Sequence, residues 1–281
     1  MDLRVVNLFS GSRGNATLVD DGTTRLLIDA GGTYKSIVDA LGRLGLDVSQ
    51  LTAVFITHEH TDHTGCLSVL SSHCGIPIHI TERSARALPI EAGSTLEKCL
   101  VTHADEFVVG VGDLRVEGFA VPHDSRFCVG YRISTEKTAI GIVTDVGYIT
   151  QRVYDRLYGC RAVMLEANHD CEMVKNGRYP AFLKKRILSE SGHLSNSACA
   201  EFAAALARSG MRSLMLAHLS RENNTPEIAQ SAVLSAVEPY GVRVAVASQE
   251  KETELFLDGV TEETEARVEE SDRPIEAAVS R

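Results

Sequence analysis

The stretch Thr57-His58-Glu59-His60-Thr61-Asp62-His63 puts three histidines and an aspartate within six residues, directly behind the apolar run Val54-Phe55-Ile56. A continuous apolar run of this kind reads as a strand covered on both faces. Imidazole and carboxylate are the donors that borderline divalent metals prefer. With only 10 histidines in 281 residues, so dense a cluster is not expected by chance. The spacing does not suit one helix face throughout, so its first part is loop. His58 and His60 can then point one way and Asp62 and His63 another. That arrangement suits two adjacent metal ions better than one.

The rest of the chain is globular in balance, with 44% hydrophobic and 23% charged residues. A chain of this length can bury a sizeable core without disulfides or a structural metal. Its seven cysteines are odd in number and show no CxxC spacing, which fits small buried residues and a reducing cytoplasm. No uncharged apolar run approaches the ~18 residues of a membrane span. The start Met1-Asp2-Leu3-Arg4-Val5-Val6 has no signal-peptide pattern. The expected location is therefore cytoplasmic, with no membrane association. The net charge of −10 is uneven. Residues 250–281 hold eleven acidic and four basic residues, leaving 27 acidic and 24 basic before them. The body is nearly neutral, so the total charge does not exclude a polyanionic substrate.

Short apolar runs alternate with amphipathic stretches. Leu3–Ser10, Ala16–Val19, Arg25–Asp29, Val54–Ile56, Ile76–Ile80, Leu114–Val121, Gly130–Ser134, Ala139–Thr144, Ala162–Leu165, Ser213–Ala217 and Val242–Ala247 read as strands. Ser36–Leu44, Ser197–Arg208 and Glu227–Val237 read as helices, the last capped by Thr225 with Pro226 at its first position. This is an α/β layered domain. The segment from Thr261 is acidic with few large apolar residues and reads as a disordered tail.

The H-x-H-x-D-H run resembles the metallo-β-lactamase superfamily, and the remainder of that family's pattern follows in order. Asp29 closes Leu26-Leu27-Ile28, His123 follows Val121-Pro122, Asp145 follows Val143-Thr144, and His218 follows Leu214–Ala217. Several of these end apolar runs, which would gather them at one edge of a sheet pair. Ser191-Gly192-His193-Leu194-Ser195-Asn196 precedes a helix, in register with His218-Leu219-Ser220-Arg221. These segments resemble the phosphodiesterase branch that includes RNase Z and PhnP. Phe9-Ser10-Gly11-Ser12-Arg13-Gly14-Asn15, Glu166-Ala167-Asn168-His169-Asp170 and Arg186–Asn196 look like the YycJ/WalJ/VicX family, although Arg13 stands where a small residue is more usual. The likeness spans residues 1–257.

The resemblance implies a four-layer αββα metallo-β-lactamase sandwich over residues 1–260, with the acidic tail at 261–281 outside it. It implies two divalent metal ions, zinc or manganese, with iron as a further option. His58, His60 and His123 would hold one, and Asp62, His63 and His218 the other. Asp145 would bridge them, and Asp29 would orient a ligand histidine. It implies a 5′→3′ exonuclease on DNA, favoured over RNA, with a place in mismatch repair. A metal-bridging hydroxide would attack phosphorus. Asp62, Asp145 and His193 would be catalytic, with His193 touching phosphate and assisting the leaving group. No obligate protein partner is evident, and the oligomeric state is open.

The residues leave two local alternatives open. Glu166, Asn168, His169 and Asp170 either line the site or form a turn with cap hydrogen bonds. Lys175, Arg178, Lys184, Lys185 and Arg186, with Tyr179 and Phe182 between them and no acidic residue from 175 to 186, are either a substrate lip or a solvated face. Basic residues mixed with aromatics suit single-stranded nucleic acid. The substrate contacts expected are His193, Ser195, Asn196, Asn168, Lys184 and Arg186. The rival readings are a small-molecule phosphodiesterase, a hydrolase of a thioester or β-lactam, and a non-catalytic regulatory protein with a structural metal site.

Overall fold

Strands that are apolar on both faces need cover on both sides, and the chain supplies it as two stacked sheets with helices outside. The computed structural model describes residues 3–257. The acidic tail expected over residues 261–281 lies outside the described residues.

The first half builds β1 (Arg4–Phe9), β2 (Ala16–Asp20), β3 (Arg25–Ile28), β4 (Ala53–Phe55), β5 (Ile78–Thr81) and β6 (Leu100–His103). The second builds β7 (Phe107–Val111), β8 (Leu114–Val121), β9 (Cys128–Ser134), β10 (Ala139–Val143), β11 (Ala162–Glu166), β12 (Ser213–Ala217) and β13 (Arg243–Val246). β14 (Thr253–Leu255) then returns to pair with β1, Val5 opposite Leu255. The sheet orders are β14-β1-β2-β3-β4-β5-β6 and β13-β12-β11-β10-β9-β8-β7. Each sheet is antiparallel on one side and parallel on the other. The parallel sets are β3 to β6 and β10 to β13.

Helices α1 (Tyr34–Arg43), α2 (Thr61–Thr64), α3 (Leu67–Cys74), α4 (Glu82–Ala85) and α5 (Thr95–Cys99) accompany the first sheet. The second has α6 (Gln151–Leu157), α7 (Cys171–Asn176), α8 (Ala181–Ile187), α9 (Asn196–Arg208) and α10 (Pro226–Val237). Most begin on a side-chain cap that takes up an otherwise unpaired amide. Thr33 and Ser36 form a capping box on α1, Ser195 accepts from the Ala198 amide on α9, and Thr225 from that of Ile228 on α10.

Three apolar layers result. Ile37, Leu41, Leu67 and Leu70 pack on Leu27, Val54 and Ile78 outside the first sheet. Phe55, Ile28, Tyr131, Ile142 and Met164 fill the space between the sheets. Val153, Phe202, Leu206 and Val233 pack on Val163, Leu165, Leu214 and Leu216 outside the second. This is the expected four-layer αββα sandwich. The expected strands and helices are present within a few residues of their predicted ends. β6, β7, β14 and the short helices α2 to α8 carry no comparable sequence signal. β6 and β7 are edge strands whose residues are half-buried or exposed, so they lack a buried apolar run. Five cysteines are buried as small core residues, while Cys74 and Cys171 are half-buried.

Tyr131 ties the two sheets at the edge where the histidine run emerges. Its hydroxyl donates to the Ile56 carbonyl at 2.6 Å, and its ring meets Phe55 edge-on at 5.8 Å. Gly31 fixes the loop beyond β3 against that run. A Cβ placed there would lie 1.8 Å from the Asp62 carbonyl oxygen and 2.6 Å from the Asn15 amide. Both neighbours are backbone, so neither can swing aside. Gly31→Ala is expected to destabilise the protein by about 3 kcal/mol, the upper range for overpacking, read as a fall in the denaturant midpoint. A wild-type midpoint would show that the approach at Gly31 relaxes freely.

Candidate metal centre

The polar residues follow the carboxyl ends of the central strands. Asp29 follows β3, His58 lies three residues past β4, His123 two past β8, Asp145 two past β10, Glu166 ends β11, and His218 follows β12. Asp29, Asp145 and His218 adopt left-handed backbone, with φ of 62°, 55° and 55°, and they are the only such non-glycine residues among the described residues. Left-handed backbone costs an L-residue about 1–2 kcal/mol. It turns each side chain sharply off its strand and into the space between the sheet edges.

Two buried carboxylates fix the imidazoles. Asp29 Oδ2 lies 2.7 Å from His63 Nδ1, and Oδ1 accepts from the Thr57 amide at 2.8 Å. Thr57 Oγ1 donates to Asp29 and lies 3.0 Å from His58 Nδ1, so the same carboxylate also settles His58. Glu166 Oε1 takes His193 Nδ1 at 2.8 Å and His218 Nδ1 at 2.9 Å. Its Oε2 accepts from the Val146 and Leu194 amides. His123 Nδ1 faces the Gly192 carbonyl at 3.1 Å. In each of these rings Nδ1 is engaged, which leaves the Nε2 lone pair free for a metal.

The free atoms converge. His58, His60 and His123 offer ligand atoms within 4.8 Å of one another; so do Asp62, His63 and His218, and so do His58, His63 and Asp145. His58 Nε2 and His60 Nδ1 are 3.0 Å apart. Asp145 Oδ2 lies 3.0 Å from His63 Nε2, and Oδ1 lies 3.7 Å from His123 Nε2 and 3.5 Å from His218 Nδ1. Yet Asp145 Oδ2 and His218 Nε2 are buried without a hydrogen bond. Buried polar atoms are rarely left unpaired. Orphaned lone-pair atoms within one buried histidine and carboxylate cluster fit a divalent cation held among them, so the residues present suit the group.

The electrostatics point the same way. Burial pushes the His58 and His123 imidazoles below their ordinary pKa, and neighbouring imidazoles add to it. Burial also disfavours charge on His218, but Asp145, Asp62 and Glu166 outweigh it and raise the group to about 10. His63, facing Asp29 and Asp145, and His193, facing Glu166, are likewise held above their ordinary value despite burial. Burial would raise the Glu166 acid, and its two histidines instead hold it down at about 2. Without a metal the cluster thus balances its carboxylates with protons.

Asp29, His58, His60, Asp62, His63, His123, Asp145, His193 and His218 all meet in this one cluster. The expected substrate contacts divide. Arg186 Nε bonds Asp124 Oδ2 beside His123, at the rim, while half-buried Lys184 donates through Nζ to the Lys175 carbonyl at 2.7 Å. Ser195 caps α9. Asn168 and Asn196 lie in buried loop contacts. The Asn168 amide is buried and donates to the His218 carbonyl at 2.8 Å, and the Asn196 side chain is buried against Asn224 through two bonds of 2.9 Å. Both hold loops rather than face solvent. In the Glu166 group, Glu166 lines the centre, whereas Asp170 caps α7 and His169 is buried behind the site. Asn15 is a residue that the sequence reading did not single out. Its Nδ2 lies 3.1 Å from His63 Nε2, and its amide donates to the Asp62 carbonyl at 2.8 Å. Its place at the end of Ser10–Asn15 was the available signal.

A histidine whose folded pKa is raised stabilises fully below about pH 6.5, its unfolded value. His218 therefore stabilises the metal-free protein at neutral pH and loses that contribution as pH rises towards about 10. The thermal midpoint of chelator-treated protein is expected to fall between pH 7 and 10. The apparent metal affinity is expected to rise over the same range, because binding expels the proton. A flat or rising midpoint would show that the cluster carries no such imidazolium.

A family model described as "Beta-lactamase superfamily domain" matches residues 24–219. The exodeoxyribonuclease YycJ of Bacillus anthracis is 33% identical over 256 residues, covering 90% of this chain and 96% of that protein. The exodeoxyribonuclease WalJ of Streptococcus pneumoniae serotype 2 is 32% identical over 243 residues, covering 85% of this chain and 90% of that protein. The metallo-β-lactamase fold protein YhfI of Bacillus subtilis superposes with a TM-score of 0.69 at 16% identity, over 90% of this chain and all of that one. The strand-end histidine and aspartate cluster thus sits in a matched fold and a matched sequence, and the chain belongs to the beta-lactamase superfamily.

Proposed function

We propose that the protein is a metal-dependent phosphodiester hydrolase that acts on DNA as a 5′→3′ exonuclease. The observation that carries this reading is the buried Asp145 carboxylate between two histidine-rich triads, with His193 at their edge held by Glu166. The identity to two exodeoxyribonucleases along most of the chain supports the substrate. Among the described residues no helix is long and apolar enough to cross a membrane.

In this reading His58, His60 and His123 would hold one divalent ion, zinc or manganese or else iron, and Asp62, His63 and His218 a second, with Asp145 serving both. Such ions supply a water acidic enough to attack near neutral pH, and they offset charge on the phosphate. The chain's own groups do the rest. Asp29 and Glu166 keep the imidazoles in the tautomer that leaves Nε2 free. Asn15 and Thr57 hold the loops that carry Asp62 and His58. His193 keeps its proton because its Nδ1 faces Glu166, and its side chain remains partly open to solvent at 19%. It can bind a phosphate oxygen and donate a proton to the departing alkoxide. Arg186, tied to Asp124, stands over the rim as a phosphate contact.

Two experiments test the reading. Metal-stripped protein is restored with zinc or manganese and given 5′-labelled and 3′-labelled DNA and RNA strands. Shortening of DNA from the 5′ end is expected, and Asp145→Ala and His60→Ala should abolish it while keeping a wild-type circular dichroism spectrum. Full activity in either variant would falsify the assignment, and hydrolysis confined to bis-p-nitrophenyl phosphate would move the substrate to a small phosphodiester.

His193→Ala should slow DNA cleavage by about 10²-fold or more, the ordinary worth of a general acid. It should slow bis-p-nitrophenyl phosphate hydrolysis much less, since nitrophenolate leaves without a proton. Equal losses on both substrates would remove the acid role.

A further inference from the structure

Helix α8 carries a side chain that the chemistry of the centre does not use. Phe182 is 75% exposed, more than any other large hydrophobic residue among those described. A lone exposed phenylalanine needs no cover by itself, but this one shares its short helix and the loop before it with a run of basic residues. The helix itself is not loose. Its last turn packs on Gly192, where a Cβ would lie 2.3 Å from the carbonyl oxygens of both Arg186 and Ile187. The His193 amide donates to the Ile187 carbonyl at 3.2 Å, and Arg186 reaches Asp124 beside His123. The helix end is thereby fixed to the two histidines at the rim.

Phe182 and Arg186 are four residues apart and so share a helix face, about 6 Å from each other along the axis. Around them Arg178 and Lys185 are exposed and have no ion-pair partner among the described residues. Lys184 is held on a backbone carbonyl rather than a carboxylate. Tyr148, 45% exposed, stands three residues beyond Asp145, on a loop whose Gly147 amide donates to the Pro122 carbonyl at 2.8 Å. An apolar protein patch would have to bury these free cations. A polyanion whose flat apolar faces alternate with charge meets both requirements at once. A duplex hides its base faces in the stack, so an aromatic ring can grip only an unpaired base.

We propose that α8 is a stacking ledge for a single nucleic-acid strand, with Phe182 against the face of a base next to the phosphodiester at the centre and Arg178, Lys184 and Lys185 along the backbone. This deepens the nuclease reading and rests on it for the place of the phosphodiester. The test measures binding without turnover. Fluorescence anisotropy is read with the metal-loaded protein and a labelled phosphorothioate oligothymidine that resists cleavage. Phe182→Ala is expected to weaken binding about 5- to 150-fold, the range for one base–aromatic stack. Phe182→Trp is expected to restore it. A strand of the same length with abasic sites should bind the wild type and Phe182→Ala alike. Equal affinity of the wild type and Phe182→Ala for oligothymidine overturns the ledge. So does an undiminished Phe182→Ala defect on the abasic strand. A base-dependent difference in a protein that leaves ordinary oligothymidine uncut supports the ledge and counts against the nuclease reading instead.

Discussion

Buried charge is the constraint on which this molecule turns. Asp29, Asp145 and Glu166 are almost fully shielded from water, and Asp62 is largely so. Removing a carboxylate from water costs several kcal/mol unless opposite charge and hydrogen bonds make it good. The chain meets that cost partly with backbone amides, on Asp29 and Glu166, and partly with imidazoles that take up protons. Asp145 receives neither a backbone amide nor a well-directed hydrogen bond on Oδ2. Divalent cations satisfy such an oxygen and the facing Nε2 atoms together. The site is therefore organised for ions before any substrate arrives.

The rest of the fold follows from where those groups must stand. Two sheets, each parallel on one side, bring the carboxyl ends of β3 and β4 opposite those of β10, β11 and β12. Ligands in open α/β sheets gather at such ends. Three of the strand-end residues are held left-handed, at Asp29, Asp145 and His218. Aspartate and histidine tolerate that backbone better than bulky residues, yet it still disfavours the folded chain. The three packed layers, with their tyrosine tie at Tyr131, over-determine the strand ends enough to hold them. Strain and buried charge are thus concentrated in one place, and burial elsewhere offsets them.

Much of this was legible in the chain. The His58–His63 run combines rare residues at short spacing, and the later His123, Asp145 and His218 each follow an apolar run that marks a strand end. Order and strand position, matched against the metallo-β-lactamase pattern, pick out the cluster. What stayed illegible depends on register. Glu166, Asn168 and Asn196 are all polar residues next to apolar segments, and nothing local separates one that faces a cluster from one that ties a loop. Only the pairing of β11 with β12, with Glu166 opposite Ala217, sets the Glu166 carboxylate beside His218. Only the meeting of the loops around residues 168, 196 and 224 turns the two asparagines inwards. Long-range contacts of that kind leave no periodicity in a single sequence.

The two buried carboxylates are not equivalent, and the difference bears on how the site works. Asp29 acts on His63 directly and on His58 through Thr57, so it reaches one histidine in each triad. It couples the geometry of the two halves. Glu166 acts on His218 and on His193, so one carboxylate joins a histidine of the candidate metal cluster to the partly open histidine at the rim. Charge drawn from Glu166 by one ring is less available to the other. Were His218 to hold a cation, its Nδ1 would still donate to Glu166 Oε1, the oxygen that His193 also faces. A single side chain at the end of β11 thus sets the charge balance of both rings.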